Sequence, residues 1–276
     1  MIKNFDPWDD SLCTCPPKYT INPYTGCSHR CIYCYISSYI KDPFFSRPKK
    51  NAVEGVKREI NKIKDRINFI SLSNSSDPYP PIERELGITR EVLQILNQNN
   101  INFQIVTKSD LVLRDIDLME KNTVSMTITS MKNSKRIEPG APDSGKRLNA
   151  LQILSDSGIN CSLRLDPVIP GINDDPENLR NIIEKASVKH VISSTFKPRI
   201  DSLKRMKIAF PDLRWDEIYK KKRGNSLYMD RTKRLMLMNC VRDLCEEAGL
   251  SFSCCREGFD MNDGKCDGSH LLGGVG

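Results

Sequence analysis

The sequence predicts an α/β protein that folds as a partial (β/α)6 barrel of the TIM type, and two observations support this. From about residue 20 onward, short β-rich runs alternate with helical stretches. Each strand-and-helix pair recurs after about 30–40 residues, which is the length of one βα unit of a parallel sheet. A chain of 276 residues is also long enough to bury the core of such a barrel.

Six runs rich in β-branched and aromatic residues are the candidate strands. They are residues 19–24, 68–73, 102–108, 123–129, 160–166 and 190–196. Between the first two, Val53, Val56, Ile60 and Ile63 step by three and four, which predicts one face of a helix. The same spacing predicts further helices around residues 92–96, 111–119, 148–154 and 179–183.

We divide the chain into three segments on composition and periodicity. Residues 1–18 contain Pro7, Pro16 and Pro17 without periodicity and are predicted to be an irregular lead-in. Residues 19–200 hold the six βα units. Residues 201–276 form a C-terminal extension with a basic helical region, an amphipathic helix over about 230–248 and a cysteine-rich tail.

The composition is typical of a globular, cytoplasmic protein. Hydrophobic residues make up 38% and charged residues 28% of the chain. No run approaches the ~18–20 apolar residues of a membrane span, and the first residues lack the apolar region of a signal peptide. Eleven cysteines without an export signal favour reduced thiolates that bind metal over a disulfide framework. We therefore expect no membrane partner.

The net charge of +7 is concentrated in two basic runs, at residues 204–207 and 220–223. Such runs can neutralise phosphates. The alternative is a solvated helical face, which suits a chain that also carries 35 acidic residues. The charge permits a nucleic-acid substrate without requiring one.

Cys27, Cys31 and Cys34 form a C-x3-C-x2-C motif, the most specific feature of the sequence. Three thiolates can hold three irons of a 4Fe–4S cubane and leave the fourth iron open to a small molecule. The alternative is zinc, which usually takes four ligands in paired C-x2-C form. No second pair follows at a usual distance, although His29 inside the loop could complete a zinc site. We predict an iron–sulfur cluster.

Polar and charged residues follow the predicted strands, whose carboxyl ends converge on one mouth of a barrel. Ser75, Ser76 and Asp77 follow the second strand; the third strand ends at Lys108. Serine and threonine also favour turns at strand ends. A lysine emerging from a β-rich run is harder to explain in this way, because a buried cation needs a partner.

These segments together resemble the radical S-adenosylmethionine (SAM) enzymes, in which the open iron chelates the amino and carboxylate groups of SAM. Within them, the sequence is similar to the spore photoproduct lyase-like branch, also described as DNA-repair photolyase-like. The resemblance extends over about residues 18–200. Its motifs lie at residues 22–27, 76–79, 107–109 and 164–174.

The resemblance implies roles for individual residues. Lys108 would meet the SAM carboxylate, Ser76 and Asp77 would lie beside SAM, and the Thr129 hydroxyl would contact it. The predicted cofactor-binding residues are Tyr33, Ser75, Ser76, Asp77, Lys108, Thr129 and Arg164. Tyr35 matches a tyrosine of the lyases' radical relay and is the predicted catalytic residue, with packing over the cluster as the alternative.

The sequence departs from the lyases at one important place. The lyases keep a cysteine a few residues before the matched Asp77, and this cysteine returns a hydrogen atom to the product radical. Asn74 stands at that place here, and an amide is a poor hydrogen-atom donor. This departure argues against photoproduct repair.

The expected function is therefore reductive cleavage of SAM to a 5′-deoxyadenosyl radical, which abstracts hydrogen from a substrate that the sequence does not specify. Nucleic acid is one candidate substrate class, and a flavodoxin or ferredoxin is the expected electron donor. Photoproduct repair is the alternative within this class. A non-catalytic zinc- or nucleic-acid-binding module is the alternative outside it.

The tail supplies a second group of cysteines, and we predict that Cys255 and Cys266 bind metal. Both lie in Gly-, Asp- and Arg-rich loops that offer little to bury a plain core cysteine. An auxiliary iron–sulfur cluster and a zinc ion are the two alternatives. Further candidate ligands are Cys13, Cys15, Cys245, Cys254 and His270.

Overall fold

The computed structural model describes residues 1–5, 12–67 and 69–272, and these residues contain one eight-stranded sheet. Its strands lie side by side in chain order. They are β1 (Ile2–Asn4), β2 (Tyr19–Ile21), β3 (Phe69–Leu72), β4 (Asn102–Thr107), β5 (Thr123–Thr127), β6 (Asn160–Val168), β7 (His190–Thr195) and β8 (Ser251–Cys254). β2 to β8 are parallel, and β1 is antiparallel to β2. The predicted partial barrel is confirmed.

Six longer helices connect or follow the strands. They are α1 (Ala52–Ile63), α2 (Ile88–Gln98), α3 (Ser144–Asp156), α4 (Pro176–Lys185), α5 (Ile200–Ala209) and α6 (Arg231–Glu247). Asp143, Asp175 and Asp230 cap α3, α4 and α6, each accepting a backbone N–H bond in the first turn. Among the helices of the described ranges, none combines the length and the apolar surface that crossing a lipid bilayer requires.

Shorter elements fill the connections. The pattern around residues 111–119, which predicted a helix, forms the 3-10 helix Asp110–Leu118. The short helices are Glu83–Leu86, Ser134–Ile137 and Trp215–Ile218, and the short 3-10 turns are Tyr35–Ser38, Lys64–Arg66 and Ser269–Leu271. Two small ribbons pair Tyr24–Thr25 with Arg47–Pro48 and Lys221–Arg223 with Ser226–Tyr228.

The central strands are buried on both faces, as in other parallel sheets that helices cover. Every residue of β3, β5 and β7 is buried. Val56 and Ile60 of α1 are fully buried against the sheet, which confirms the apolar stripe read from the sequence.

The sequence analysis did not predict β1 and β8, the two strands at the edges of the sheet. Each has only three or four residues, too few to show a periodic pattern. The division of the chain near residues 18 and 200 stays a prediction, but segments from both ends of the chain belong to the same sheet. Residues 6–11 of the lead-in and Asn68 of the second predicted strand lie outside the described residues.

The C-terminal tail runs across the inner face of the barrel near the start of the strands. The amide of Gln104 in β4 donates to the carbonyl of Asp267. The ring of His270 lies 4.6 Å from that of His190 in β7. A Cβ on Gly268 would lie 3.3 Å from Ser162 Oγ. The tail thus packs against inward-facing polar side chains of the barrel and bonds to one of them, Gln104.

We predict that Phe252→Ala in β8 lowers the free energy of unfolding by about 3–5 kcal/mol, because it empties a fully buried aromatic site. Urea unfolding of the full chain measures the change. Phe45→Ala is the matched control, since that ring is 64% exposed and its loss changes stability by at most about 0.5 kcal/mol. Equal effects of the two substitutions would show that β8 does not contribute to the core.

Candidate functional site

A cavity of about 570 Å³ lies within the barrel and extends to the carboxyl ends of the strands. Cys27, Cys31 and Cys34 line it together. So do seven further residues that the sequence analysis singled out: Tyr33, Tyr35, Ser75, Ser76, Asp77, Lys108 and Arg164. Thr129 is buried but does not line the cavity. β5 ends two residues earlier, at Thr127, and Thr127 does line it.

The cysteine loop begins at a glycine that no other residue can replace without a shift. Gly26 has a φ of +75°, and a Cβ there would lie 2.3 Å from the carbonyl oxygen of Phe45. The next residue is fixed as well, since the backbone N–H of Cys27 donates to the carbonyl of Pro43 at 2.7 Å. The start of the loop therefore packs directly against the backbone of residues 43–45.

The other side of the loop packs against the segment that follows β5. The backbone N–H of Gly140 donates to the carbonyl of His29 at 2.9 Å, and that of Ile32 donates to Ile137 at the same distance. A Cβ on Gly140 would lie 2.1 Å from the carbonyl oxygen of Ser28. Backbone contacts on two sides thus hold the loop in one conformation.

Arg205 of α5 adds a third support. Its guanidinium donates to the carbonyls of Ile32 at 2.9 Å and Cys34 at 2.7 Å. This arginine belongs to the basic run at residues 204–207, and Lys207 of the same run pairs with Asp216 at 2.8 Å. Two of the three basic residues of that run are therefore engaged within the protein, which argues against the run as a phosphate-binding patch.

The thiols of the loop are largely withdrawn from water. Burial raises the pKa of Cys31 well above its ordinary value, and the charge of Lys108 opposes that shift. Burial likewise raises the pKa of Cys34, to about 11. Among the described residues, no three His, Cys, Asp or Glu side chains are closed around a single ion. Three thiols of one short loop that line the same cavity suit a cluster of several irons.

Lys108 lies at the end of β4 with its ammonium directed into this site. Its Nζ is 5.7 Å from the centre of the Tyr33 ring. Burial alone would lower the pKa of Lys108, but the negative charges of Cys31 and Glu138 raise it above its ordinary value. The cavity therefore contains a fixed positive charge beside the cysteine loop.

The carboxylate of Asp77 is almost fully engaged by neighbouring loops. It accepts hydrogen bonds from the Thr107 hydroxyl at 2.7 Å, the backbone N–H of Lys108 at 2.8 Å and that of Tyr79 at 2.9 Å. Nδ1 of His29 lies 3.3 Å from it. Burial opposes ionisation, but His29 and these donors lower the pKa of Asp77. Asp77 thus positions the start of the Lys108 loop.

His29 has a role that the sequence analysis did not assign. It is buried, and although burial lowers its pKa, Asp77 and Cys27 together raise the pKa to about 10. A protonated imidazole facing a carboxylate is an ion pair inside the cysteine loop. This pairing is an alternative to the zinc ligation considered for His29.

Glu138 and Arg147 form a buried ion pair at 2.6 Å that the sequence analysis missed. The Glu138 carboxylate also accepts a hydrogen bond from the Tyr33 hydroxyl. Arg147 donates further to the carbonyls of Thr127 at 2.8 Å and Pro142 at 2.9 Å. In the sequence, this pair could have been suspected only from Glu138, a carboxylate in the loop after the fourth predicted strand.

The loop after β3 is held by an asparagine that also went unnoticed. Oδ1 of Asn22 accepts hydrogen bonds from the backbone N–H and the hydroxyl of Ser75 at 3.1 and 3.2 Å. The Tyr35 hydroxyl donates to the carbonyl of Asn74 at 2.6 Å. The Asn74 amide in turn donates to the Thr20 hydroxyl at 2.7 Å. Asn22 lies within the motif at residues 22–27.

Charged pairs lie in the cavity lining and behind it. Arg164 and Asp166 both line the cavity and pair at 3.0 Å. Lys197 also lines it, and Lys197 and Arg234 each lie 2.6 Å from the buried carboxylate of Glu257 in the tail. The tail contributes to the lining through Cys255, Arg256, Cys266 and Asp267.

All eleven cysteines are free thiols. Cys255 and Cys266, the two predicted from the tail, line the same cavity as the cysteine loop. Cys13 and Cys15 from the N-terminal segment line it with them. Cys245 and Cys254 are instead buried in the core.

The curated relatives of this chain share part of its length. An uncharacterized protein of Methanocaldococcus jannaschii is 36% identical over 165 residues, which cover 57% of this chain and 62% of that protein. A Radical SAM Nalpha-GlyT isomerase of Pseudomonas phage M6 is 25% identical over 182 residues, 62% of this chain and 38% of that protein. The chain thus spans less than two thirds of the length of these relatives.

Solved structures share the fold at low sequence identity. A spore photoproduct lyase mutant with bound AdoMet and dinucleoside spore photoproduct matches 88% of this chain and 79% of its own, with a TM-score of 0.67 and 17% identity. Streptococcus suis SuiB bound to S-adenosylmethionine matches 85% of this chain and 49% of its own, with a TM-score of 0.56 and 13% identity.

The family profile covers the part of the chain that builds the site. The Radical SAM superfamily matches residues 21–185, more than half of the sequence. That stretch contains the cysteine loop, the Asp77 loop, Lys108 and Arg164. The chain is a member of the radical SAM superfamily.

Proposed function

We propose that this protein is an enzyme that cleaves SAM reductively and uses the resulting 5′-deoxyadenosyl radical to abstract hydrogen from a substrate in the cavity. The supporting observation is that three thiols of one rigid loop line the same cavity as the cationic Lys108. A bound 4Fe–4S cluster would supply one electron to SAM, and the protein would position SAM and exclude water.

We propose that the chain binds SAM through residues on both sides of the cysteine loop. Lys108 would pair with the SAM carboxylate, while Tyr33, Ser75, Ser76 and Arg164 would contact the rest of the molecule. Asp77 would act by holding the Lys108 loop, because its oxygens are engaged by backbone and hydroxyl donors. Thr127 lines the cavity and is a better candidate than the buried Thr129 for the hydroxyl contact.

We propose an anionic substrate, with nucleic acid as the candidate class. Seven lysine and arginine residues but only three aspartates are among the residues that line the cavity. A cationic cavity attracts phosphates. The matching spore photoproduct lyase binds a dinucleoside, which supports the same substrate class for this protein.

We propose that a flavodoxin or ferredoxin supplies the electron. A reducing compartment, the cytoplasm, would keep the eleven free thiols available for metal. Tyr35 remains the proposed radical-relay residue. Its hydroxyl donates to the carbonyl of Asn74, so it is positioned against the loop after β3, and packing over the cluster is the alternative role.

Replacing Cys27, Cys31 or Cys34 by Ala is expected to abolish SAM cleavage, because each substitution removes one anchor of the cluster. The measurement is 5′-deoxyadenosine formation by the anaerobically reconstituted, reduced protein. Cys240→Ala on α6 is the control and is expected to retain cleavage. A colourless protein that keeps zinc and never cleaves SAM would instead support the non-catalytic zinc-binding module.

Lys108→Met is expected to weaken SAM binding by about 1.5–3 kcal/mol, the range for a hydrogen bond to a charged group. The cluster spectrum should stay the same, because Lys108 is not a ligand. Equilibrium binding of SAM to the reconstituted protein measures the change, with exposed Lys146→Met as the matched control. If the affinity for SAM is unchanged in Lys108→Met, Lys108 instead binds the substrate or stabilises the fold.

We expect little or no repair of spore photoproduct, because Asn74 lines the cavity where the lyases keep a hydrogen-donating cysteine. Cleavage of SAM should continue, since the cysteine loop and Lys108 are intact. Thymine release from a dinucleoside spore photoproduct, followed beside 5′-deoxyadenosine, tests this. Multi-turnover repair by the unaltered protein would make it a photoproduct lyase, and repair gained in Asn74→Cys would identify the missing thiol as the reason.

A further inference from the structure

Four cysteines from the two ends of the chain meet in the cavity. The Sγ atoms of Cys15 and Cys266 are 3.3 Å apart. Cys13 and Cys255 line the same cavity as this pair, and one residue separates Cys13 from Cys15 in the sequence. The sequence analysis named all four among its candidate ligands, but with about 240 residues between the two pairs it did not single them out from Cys245, Cys254 and His270.

The two segments that carry these cysteines are packed against each other by neighbouring contacts. The Leu12 side chain lies directly against Gly258, where a Cβ would be 2.5 Å from it. The hydroxyl of Thr14 accepts a hydrogen bond from the Asn262 amide at 3.3 Å. Cys255 follows β8 immediately, and its backbone N–H donates to the carbonyl of Ser193 at 2.8 Å. The backbone therefore holds the cysteines near one another independently of their side chains.

Positive charge surrounds this group. Lys18 forms a buried ion pair with Asp267, the residue after Cys266. Arg164 and Lys197 line the cavity together with Lys18 and the four cysteines. Cations beside the site would offset the negative charge of a group that carries four thiolate ligands.

We propose that Cys13, Cys15, Cys255 and Cys266 ligate a second iron–sulfur cluster, distinct from the one on the Cys27–Cys34 loop. Four cysteine thiolates are the usual ligand set of such clusters. In a [2Fe–2S] cluster each tetrahedral iron takes two cysteine ligands, and two sulfurs bonded to one metal at about 2.3 Å lie about 3.8 Å apart. The Cys15–Cys266 pair has to open only slightly from 3.3 Å to reach that separation.

The geometry favours a cluster over one zinc ion. One pair of the four thiols, Cys15 and Cys266, is in direct contact, and Cys13 and Cys255 share the cavity with it. An iron–sulfur cluster distributes its ligands over two or more irons, so Cys255 need not contact the others directly. The site is therefore built for a polynuclear group and lies on the cavity that would hold the substrate.

The remaining candidates from the tail have other partners. Cys254 faces the carbonyl of Phe259 at 3.8 Å and is 2% exposed. Cys245 is fully buried on α6. Nδ1 of His270 accepts a hydrogen bond from the backbone N–H of Lys265. Cys254 is thus a matched control, since it adjoins Cys255 in sequence but points into the core.

The test starts from the triple variant Cys27→Ala, Cys31→Ala, Cys34→Ala of the full chain, which removes the first cluster site. After anaerobic reconstitution with iron and sulfide, we expect it to keep bound iron, acid-labile sulfide and sulfur-to-iron absorption. Adding Cys15→Ser and Cys266→Ser should remove all three. Adding Cys254→Ser instead should leave them unchanged.

Three outcomes would overturn the proposal: a triple variant without iron, one that holds zinc at these cysteines, or iron that persists after Cys15→Ser and Cys266→Ser. Cys13→Ser with Cys15→Ser is the second variant, because both side chains are partly exposed and their replacement disturbs the core least. Near-ultraviolet circular dichroism verifies that each variant is folded. The readout is bound iron and not SAM cleavage. The second cluster can therefore be disproved while the proposed SAM chemistry stands, and the SAM chemistry can be disproved while the second cluster stands.

Discussion

The buried carboxylate of Glu138 is the group on which the geometry of the site depends. It neutralises Arg147, accepts the Tyr33 hydroxyl and faces the ammonium of Lys108. Arg147 is fully buried and also binds the carbonyl of Thr127, where β5 ends. Removing one member of a buried ion pair leaves the other charge uncompensated in a medium of low dielectric. The carboxylate therefore ties a strand end, the cysteine loop and the proposed SAM-binding lysine into one unit.

Rigidity of the cysteine loop follows from close backbone contacts on two sides. Gly26 and Gly140 allow the loop to approach neighbouring carbonyls so closely that any Cβ would overlap them. Arg205 adds two hydrogen bonds from α5. Ligands held in this way are pre-organised, so little conformational entropy is lost when a cluster binds. The loop is part of the fold and not an appendage on it.

The tail has two structural roles in the same molecule. Gln104 on the inner face of the barrel donates to the tail carbonyl of Asp267, and Ser162 and His190 pack against Gly268 and His270. Behind the cavity lining, Glu257 neutralises Lys197 and Arg234. These contacts explain why a segment rich in glycine, aspartate and cysteine is ordered without an apolar stripe. They also bring Cys255 and Cys266 to Cys13 and Cys15.

The sequence alone determined the parallel βα order, the C-x3-C-x2-C loop and the position of Lys108, because these depend on local periodicity and on spacing within one short segment. The sequence did not predict β1 and β8, because a strand of three or four residues is too short to show a hydrophobic periodicity. Only the tertiary structure decided which residues meet across the barrel. Glu138 and Arg147 needed the turn after β5 to bring them together, and Asp77 was placed against His29 by the pairing of β2 with β3. The grouping of Cys13 and Cys15 with Cys255 and Cys266 includes a contact between residues 251 positions apart. Such long-range contacts follow from how strand ends converge, and that convergence is a property of the folded sheet.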